Sequence, residues 1–324
     1  SARTGAARQR WYSARLAHSA RGKIHSMAET MFKQIRQAIT SLNPEEVRAA
    51  AERPVHIALI ASTSQGYAEM EDFLLPGNIS HDKRMEAMNT LHRVGDIGTP
   101  HNFDLEIYEE GLPRPEPGFT FNPRDPGRTV SEILIVRDDL GLALARYYPA
   151  FRKAVSHHLV KTVSKENALF SLATALPNVL PSAVTLPWAL GEFASDTAFL
   201  TTNQIRMAFL MAAASDRAVG YRNQKSEIAS IIASAFGWRA LARELAGKIP
   251  FGGGLLPKAA IAYAGTYVVG SSIERYYRIG YGYSRSERKA MFGDAYEKGR
   301  RVAGALLEHV KRREGTTVEP RTSA

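Results

Sequence analysis

The chain has 324 residues, 44% hydrophobic and 23% charged, which fits one large or two ordinary globular domains and excludes a disordered chain or a typical multi-span membrane protein. A formal net charge of +10 favours an anionic partner, either an acidic bilayer surface or nucleic acid. With no cysteine, disulfides, thiolate metal sites and cysteine nucleophiles are excluded.

Ser1 to Met27 holds six basic residues, no acid and many Ala and Ser. That composition suits an organelle-targeting segment and equally suits a free basic arm ahead of a helix; the apolar core of a secretory signal is missing. Met27, Met31, Ile35 and Ile39, four apart, predict an amphipathic helix to Leu42. Asn43-Pro44-Glu45-Glu46 then supplies a cap, a proline for the first helical position and first-turn acids, so a short helix should run to about Glu52. Residues 1–52 thus read as a basic arm with N-terminal helices.

Pro54 ends that helix, and Val55 to Ile60 is the clearest buried strand. A small polar turn, Ala61 to Tyr67, and a predicted helix, Ala68 to Leu75, follow in the order in which a phosphate-binding loop occurs. The cofactor candidates here are Ser62, Thr63, Ser64 and Gly66, but the turn has one glycine and no lysine, so it is at most a degenerate version. His81 to Arg128 is rich in Pro, Gly, His and charge; Phe103 to Tyr108 alternates like a strand, and the remainder reads as extended surface loop. Ile133 to Val136 is predicted as a second buried strand. Asp138, at its end, would either hold magnesium as a Walker-B acid does or cap a helix. Residues 53–140 therefore read as a small degenerate α/β module.

From Gly141 onward every long segment reads as helix. Leu142 to Lys161 is predicted as one helix despite Pro149, followed by Ala194–Val219, Ser226–Leu245, Lys248–Ile273 and Ser284–Lys311, with a disordered tail over 314–324. Asn167 to Gly191 carries no charge over a length matching a bilayer span, yet Pro177, Pro181 and Pro187 break it. A second apolar stretch, Leu255 to Ile273, follows Gly252-Gly253-Gly254 and contains Gly265 and Gly270, which allow close backbone approach. Trp188, Lys248, Phe251, Lys258, Tyr276 and Tyr277 border these stretches and are the candidate membrane or partner contacts.

Polar residues inside the apolar half predict structural pairs. Glu192 and Asp196 are four apart on one helical segment that also holds Arg206, and Arg239 and Arg243 are four apart on the next. Buried or half-buried acid–arginine pairs between them should fix how the helices pack. Adjacent His157 and His158 point to different faces, no zinc motif is present, and no Gly-x-Ser-x-Gly elbow accompanies the serines. No catalytic residue, metal site or cofactor is therefore assigned.

Residues 166–277 carry Glu166-Asn167-Ala168 leading into Leu176-Pro177, Thr202 to Met207, Lys248-Ile249-Pro250-Phe251-Gly252-Gly253-Gly254, and Ala264-Gly265-Thr266-Tyr267 to Gly270. Together these resemble the DUF697 family, a helical module found with Era- and dynamin-like GTPases. The resemblance implies an all-helical, membrane-associated module working beside a GTPase, without catalytic residues to carry over. It makes Val55 to Gly66 look like a GTPase relic, although the Gly-Lys-Ser or Gly-Lys-Thr of such a loop is missing.

The expected fold is mainly α: a small degenerate α/β N-terminal part, then a helical bundle (141–313) with Gly/Pro-broken apolar helices. The leading functional reading is a non-catalytic accessory module, cytoplasmic or peripheral at a membrane, docking on a membrane surface or a GTPase-like partner. The alternatives are a soluble homo-oligomeric scaffold and a degenerate nucleotide-binding protein. Basic residues are spread along the chain without a nucleic-acid reading motif, which disfavours nucleic acid as the partner.

Overall fold

The computed structural model describes residues 33–35, 37, 39–94, 102–174, 196–234 and 255–316. The first helix with a readable start is α1 (Pro44–Glu52), where the Asn43 side chain accepts from the Glu45 N–H at 3.1 Å and Pro44 occupies the first turn. The chain then enters β1 (Ile57–Ile60), and Val55, Ile57, Ala58 and Leu59 are all fully buried. Burial on both faces is what a central parallel strand requires, and it accounts for the uninterrupted apolar run.

Helices α2 (Ser64–Leu74) and α3 (His81–Met88) carry the chain to β2 (Leu91–Arg93). Strands β3 (Leu105–Tyr108) and β4 (Phe119–Thr120) complete a parallel sheet of order β2-β1-β3-β4, with Ile57 opposite both Leu91 and Leu105. The stretch expected to be mostly loop, 81–128, thus holds α3, β2 and β4 besides the anticipated strand. From β1 the connection runs to one side of the sheet and from β3 to the other. The chain diverges at the carboxyl ends of these two strands, the place where open α/β sheets form a crevice.

One expected strand is a helix. Ile133–Val136 is the last turn of α4 (Pro126–Val136), capped by the Asp125 side chain on the Arg128 N–H and started by Pro126. Four apolar residues fit either period, and the upstream cap decides it. Only Ile133 of the four is buried on the sheet; Ile135 is 81% exposed. A second correction concerns the helix expected over Leu142–Lys161. It is divided into α5 (Gly141–Tyr147) and α6 (Pro149–Ala173), because Pro149 disfavours helical geometry at Tyr148, whose ψ is 106°.

The helical half consists of α6, α7 (Asp196–Ala214), α8 (225–234), α9 (Leu255–Ile279) and α10 (Arg285–Thr316). Helix α7 is enclosed by its neighbours, with Phe199, Ile205, Met207, Phe209 and Met211 all buried. Helix α9 packs between α6 and α10. A Cβ on its Gly270 would lie 2.8 Å from Val160 and 2.9 Å from Met207. Contrary to the expectation of a broken apolar helix, α9 runs unbroken through Gly265 and Gly270, with Pro257 confined to its first turn. No helix among the described residues is long and apolar enough to cross a membrane. Residues 167–173 of the uncharged stretch end α6; Pro177, Pro181 and Pro187 lie outside the described residues.

The two halves share one core. Val55, Ile57, Leu59, Met70 and Ile107 pack in the same cluster as Leu144, Tyr148, Phe151 and Val155 of α5–α6, with Ala214 at the end of α7. The fully buried Tyr148 hydroxyl lies 2.9 Å from Thr90 Oγ1, and burial raises its phenol well above the usual range.

Candidate functional site

The carboxyl ends of β1 and β3 hold the residues singled out for phosphate binding. Ser62 and Thr63 follow β1, and Thr63 caps α2 by accepting from the Gly66 N–H at 3.0 Å. Ser64 is exposed in the first turn of α2. This is a helix N-terminus aimed past the end of a parallel strand, which is favourable for an anion.

An anion is already there. Glu109, the first residue after β3, is fixed by its own N–H to the Ile60 carbonyl at 2.8 Å. Its Oε2 accepts from the Ser62 N–H and the Ser62 hydroxyl, both at 2.7 Å, and its Oε1 accepts from the Thr63 hydroxyl at 3.3 Å. A Cβ added at Gly66 would stand 2.5 Å from Glu109 Oε1, so the lone glycine of the turn admits this carboxylate. The hydrogen bonds from Ser62, chiefly that of its hydroxyl, hold the Glu109 carboxyl below its ordinary range.

The magnesium candidate is elsewhere. Asp138 opens a 3-10 turn (Asp138–Leu140) after α4 rather than ending a strand. Its neighbour Arg137 binds the Asp139 carboxylate at 3.0 and 3.1 Å and also reaches the Asp104 carbonyl. Asp104 in turn takes Arg53 at 3.2 Å and the His56 N–H at 2.9 Å. Arg53, His56 and Asp104 precede β1 and β3, so Asp138 belongs to the amino edge of the sheet, whereas Ser62–Gly66 and Glu109 are at the carboxyl edge. Parallel strands put these edges at opposite ends, and the expected pairing of Asp138 with Ser62–Gly66 does not form.

No family model, curated protein or solved structure matches this chain.

The expected acid–arginine pairing forms, among the described residues, with partners from other helices: Arg206 with an acid of α6, and Asp216 with arginines of α5 and α6. Arg206 Nη1 lies 3.4 Å from Glu166 on α6. Glu192, Arg239 and Arg243 lie outside the described residues, as does the side chain of Asp196. Around Arg206 a buried amide network joins three helices: Asn203 donates to Asn167 Oδ1 at 2.9 Å and to Glu166 at 2.9 Å. Asn167 and Gln204 both donate to Thr266 on α9, at 2.7 and 3.0 Å. Asn167, Asn203 and Thr266 are almost wholly buried, so mutual satisfaction is what makes them tolerable in the core.

Of the candidate contact residues, Trp188, Lys248 and Phe251 lie outside the described residues. Lys258 is exposed and donates to Thr174 Oγ1 at 3.3 Å. Tyr276 is 39% exposed, while Tyr277 is half-buried beneath the Arg217 guanidinium, 4.6 Å from its ring centroid. Burial, and then the nearby Glu227 carboxylate, raises the Tyr277 phenol far above its usual range.

Sequence reasoning missed Glu109, and it placed Asp216 among the polar residues of the apolar half without its partners. Glu109 is 47 residues from Ser62, and only the β1–β3 pairing joins them. Asp216, at φ 55° after α7, receives Lys83 of α3 at 3.0 Å and lies 3.7 Å from Arg146 and 3.8 Å from Arg152. Asp tolerates this left-handed conformation better than most residues. Among the described residues no group of His, Asp and Glu is arranged to hold a metal ion.

Proposed function

We propose that this protein is a non-catalytic accessory module that docks on an anionic membrane surface or a GTPase-like partner. Its α/β half acts as a rigid platform, not a nucleotide site. The observation that carries this reading is Glu109. The position where a phosphate would meet the N-terminus of α2 holds a carboxylate from the same chain, bound by Ser62 and Thr63. An incoming phosphate would meet like charge there. The docking half rests on charge: Ser1 to Arg36 carries eight Lys and Arg against one Glu. The DUF697 resemblance adds the expectation of a GTPase neighbour.

Two measurements test the reading separately. A ligand at 100 times its dissociation constant stabilises a folded protein by roughly 2.7 kcal/mol. Saturating ATP or GTP with magnesium should therefore raise the Tm of a nucleotide-binding protein by several degrees; no shift is expected here, and a shift would overturn the platform reading. In fractionation, the intact chain should sediment with anionic membranes at low salt and leave them at high salt, since screening weakens surface attraction. Release by detergent alone, or no sedimentation together with no retained protein partner, would overturn docking.

A further inference from the structure

A cavity of about 570 Å³ opens where the α/β half meets the helical half, between α2, α4, α6 and α9. Clefts of about 300–1,000 Å³ at such junctions are where small molecules bind. One side is apolar: Phe73 from α2, Val130 from α4, and Ala150, Ala154 and Val160 from α6. Phe73 also stacks at a tilt on Phe121, 5.5 Å between centroids, so this wall is anchored in the core.

The other side is polar, with a positive surplus centred on Lys153. Lys153 and His157, four apart on α6, share one helix face at the cavity. Across from them on α9 stand Glu274 and Arg278, which bind each other at 2.9 Å and so cancel. Lys298 of α10 adds a further positive charge, over the Tyr267 ring at 5.5 Å. Neither Lys153 nor Lys298 has a carboxylate partner among the described residues. The surplus is felt at His157, whose imidazole is held below its ordinary value first by burial and then by Lys161 and Lys298.

We infer that this cavity binds an amphipathic anion: an acyl or alkyl chain ending in a carboxylate or phosphate, its tail against Phe73, Val130 and Ala154 and its head at Lys153 and His157. An uncharged apolar ligand would desolvate Lys153 without compensation, and a bare anion would leave the apolar wall in water. The cavity shares no lining residue with the Glu109 cradle, and the inference does not rest on the docking reading.

The test uses the full chain and dodecyl phosphate below its micelle concentration, followed by titration calorimetry. One-to-one binding is expected, with dodecanol and inorganic phosphate each at least about tenfold weaker. Lys153→Glu, at an exposed side chain, should cost at least about tenfold in affinity while leaving the circular dichroism unchanged. Ala154→Trp should fill the tail space and abolish binding, with Tm reporting whether the fold persists. No binding of dodecyl phosphate, equal binding of inorganic phosphate, or indifference to Lys153→Glu would each overturn the proposal. Phosphatidylglycerol vesicles that displace the bound probe, where phosphatidylcholine vesicles do not, would identify the source as a bilayer lipid. Absence of displacement would identify a free amphiphile. Nucleotide insensitivity and salt extraction are read independently, so either proposal can fail alone.

Discussion

The carboxylate of Glu109 carries a charge that Ser62 and Thr63 are arranged to receive, and acid should switch that arrangement off. Its folded pKa lies below the ordinary 4.5, chiefly through the Ser62 hydrogen bonds. The stability it contributes is therefore complete above pH 4.5 and is lost as pH falls through the lower folded value. Glu109→Gln should be less stable than the parent at pH 7, and the difference should shrink on acidification below pH 4.5; urea midpoints at the two pH values read this directly. At the amino edge, His92 stacks on His56 with ring centroids 5.4 Å apart and Nε2 3.1 Å from His56 Nδ1. Burial, and then His56, lowers the His92 pKa below 6.5. The unfolded chain thus takes up a proton at His92 before the folded one does, and stability should fall as pH drops below 6.5. In His92→Phe that portion of the loss should disappear, visible as a smaller difference between urea midpoints at pH 7.5 and 5.5.

Helix α10 offers the same substitution with opposite outcomes. A Cβ on Gly299 would stand 2.8 Å from the Ala260 carbonyl oxygen and 3.1 Å from its Cα, so Gly299→Ala must push α9 and α10 apart. Overpacking against backbone costs about 1–3 kcal/mol, which outweighs the helix-propensity gain of about 1 kcal/mol only when the backbone cannot yield. Gly304 meets nothing within 4 Å, so Gly304→Ala should stabilise by about 0.5–1 kcal/mol. Chemical denaturation of the two variants should bracket the parent; a stabilised Gly299→Ala would refute the close approach. The element scale is also where the sequence is most and least readable. The start of α1 was legible because Asn43, Pro44 and Glu45 act on one another within a turn. The identity of α4 was not, because Ile133–Val136 is too short to show a period and its cap, Asp125, lies in a proline-rich stretch that reads as loop. The unsplit Leu142–Lys161 helix failed at Tyr148, where the constraint imposed by the following proline outweighed an apolar pattern continuous across the break.

Across the whole molecule, Asp216 joins four elements. Its side chain, 12% exposed, binds Lys83 and sits beside Arg146 and Arg152, tying the end of α7 to α3, α5 and α6. Asp216→Asn keeps a residue that tolerates φ 55° but leaves three cations facing one another, and should cost about 2–3 kcal/mol, between the values for exposed and fully buried pairs. A loss below about 0.5 kcal/mol, the range of ordinary surface substitutions, would show that the tie is ornamental. No reading of the sequence joins Asp216 to Lys83, 133 residues away. Helical periodicity specifies faces, not which faces meet. The same holds for the amide network, where Asn167, Asn203 and Thr266 come together only after three helices have packed.

The Glu109 cradle also bears on how the protein meets free anions. A carboxylate on the first residue after β3 is a tethered ligand, present at an effective concentration that a short tether sets in the millimolar range or above. A free phosphate would have to outcompete it at that helix end. Removal of that one side chain would leave Ser62, Thr63 and the first turn of α2 facing solvent. A single codon thus separates a self-occupied cradle from an open one.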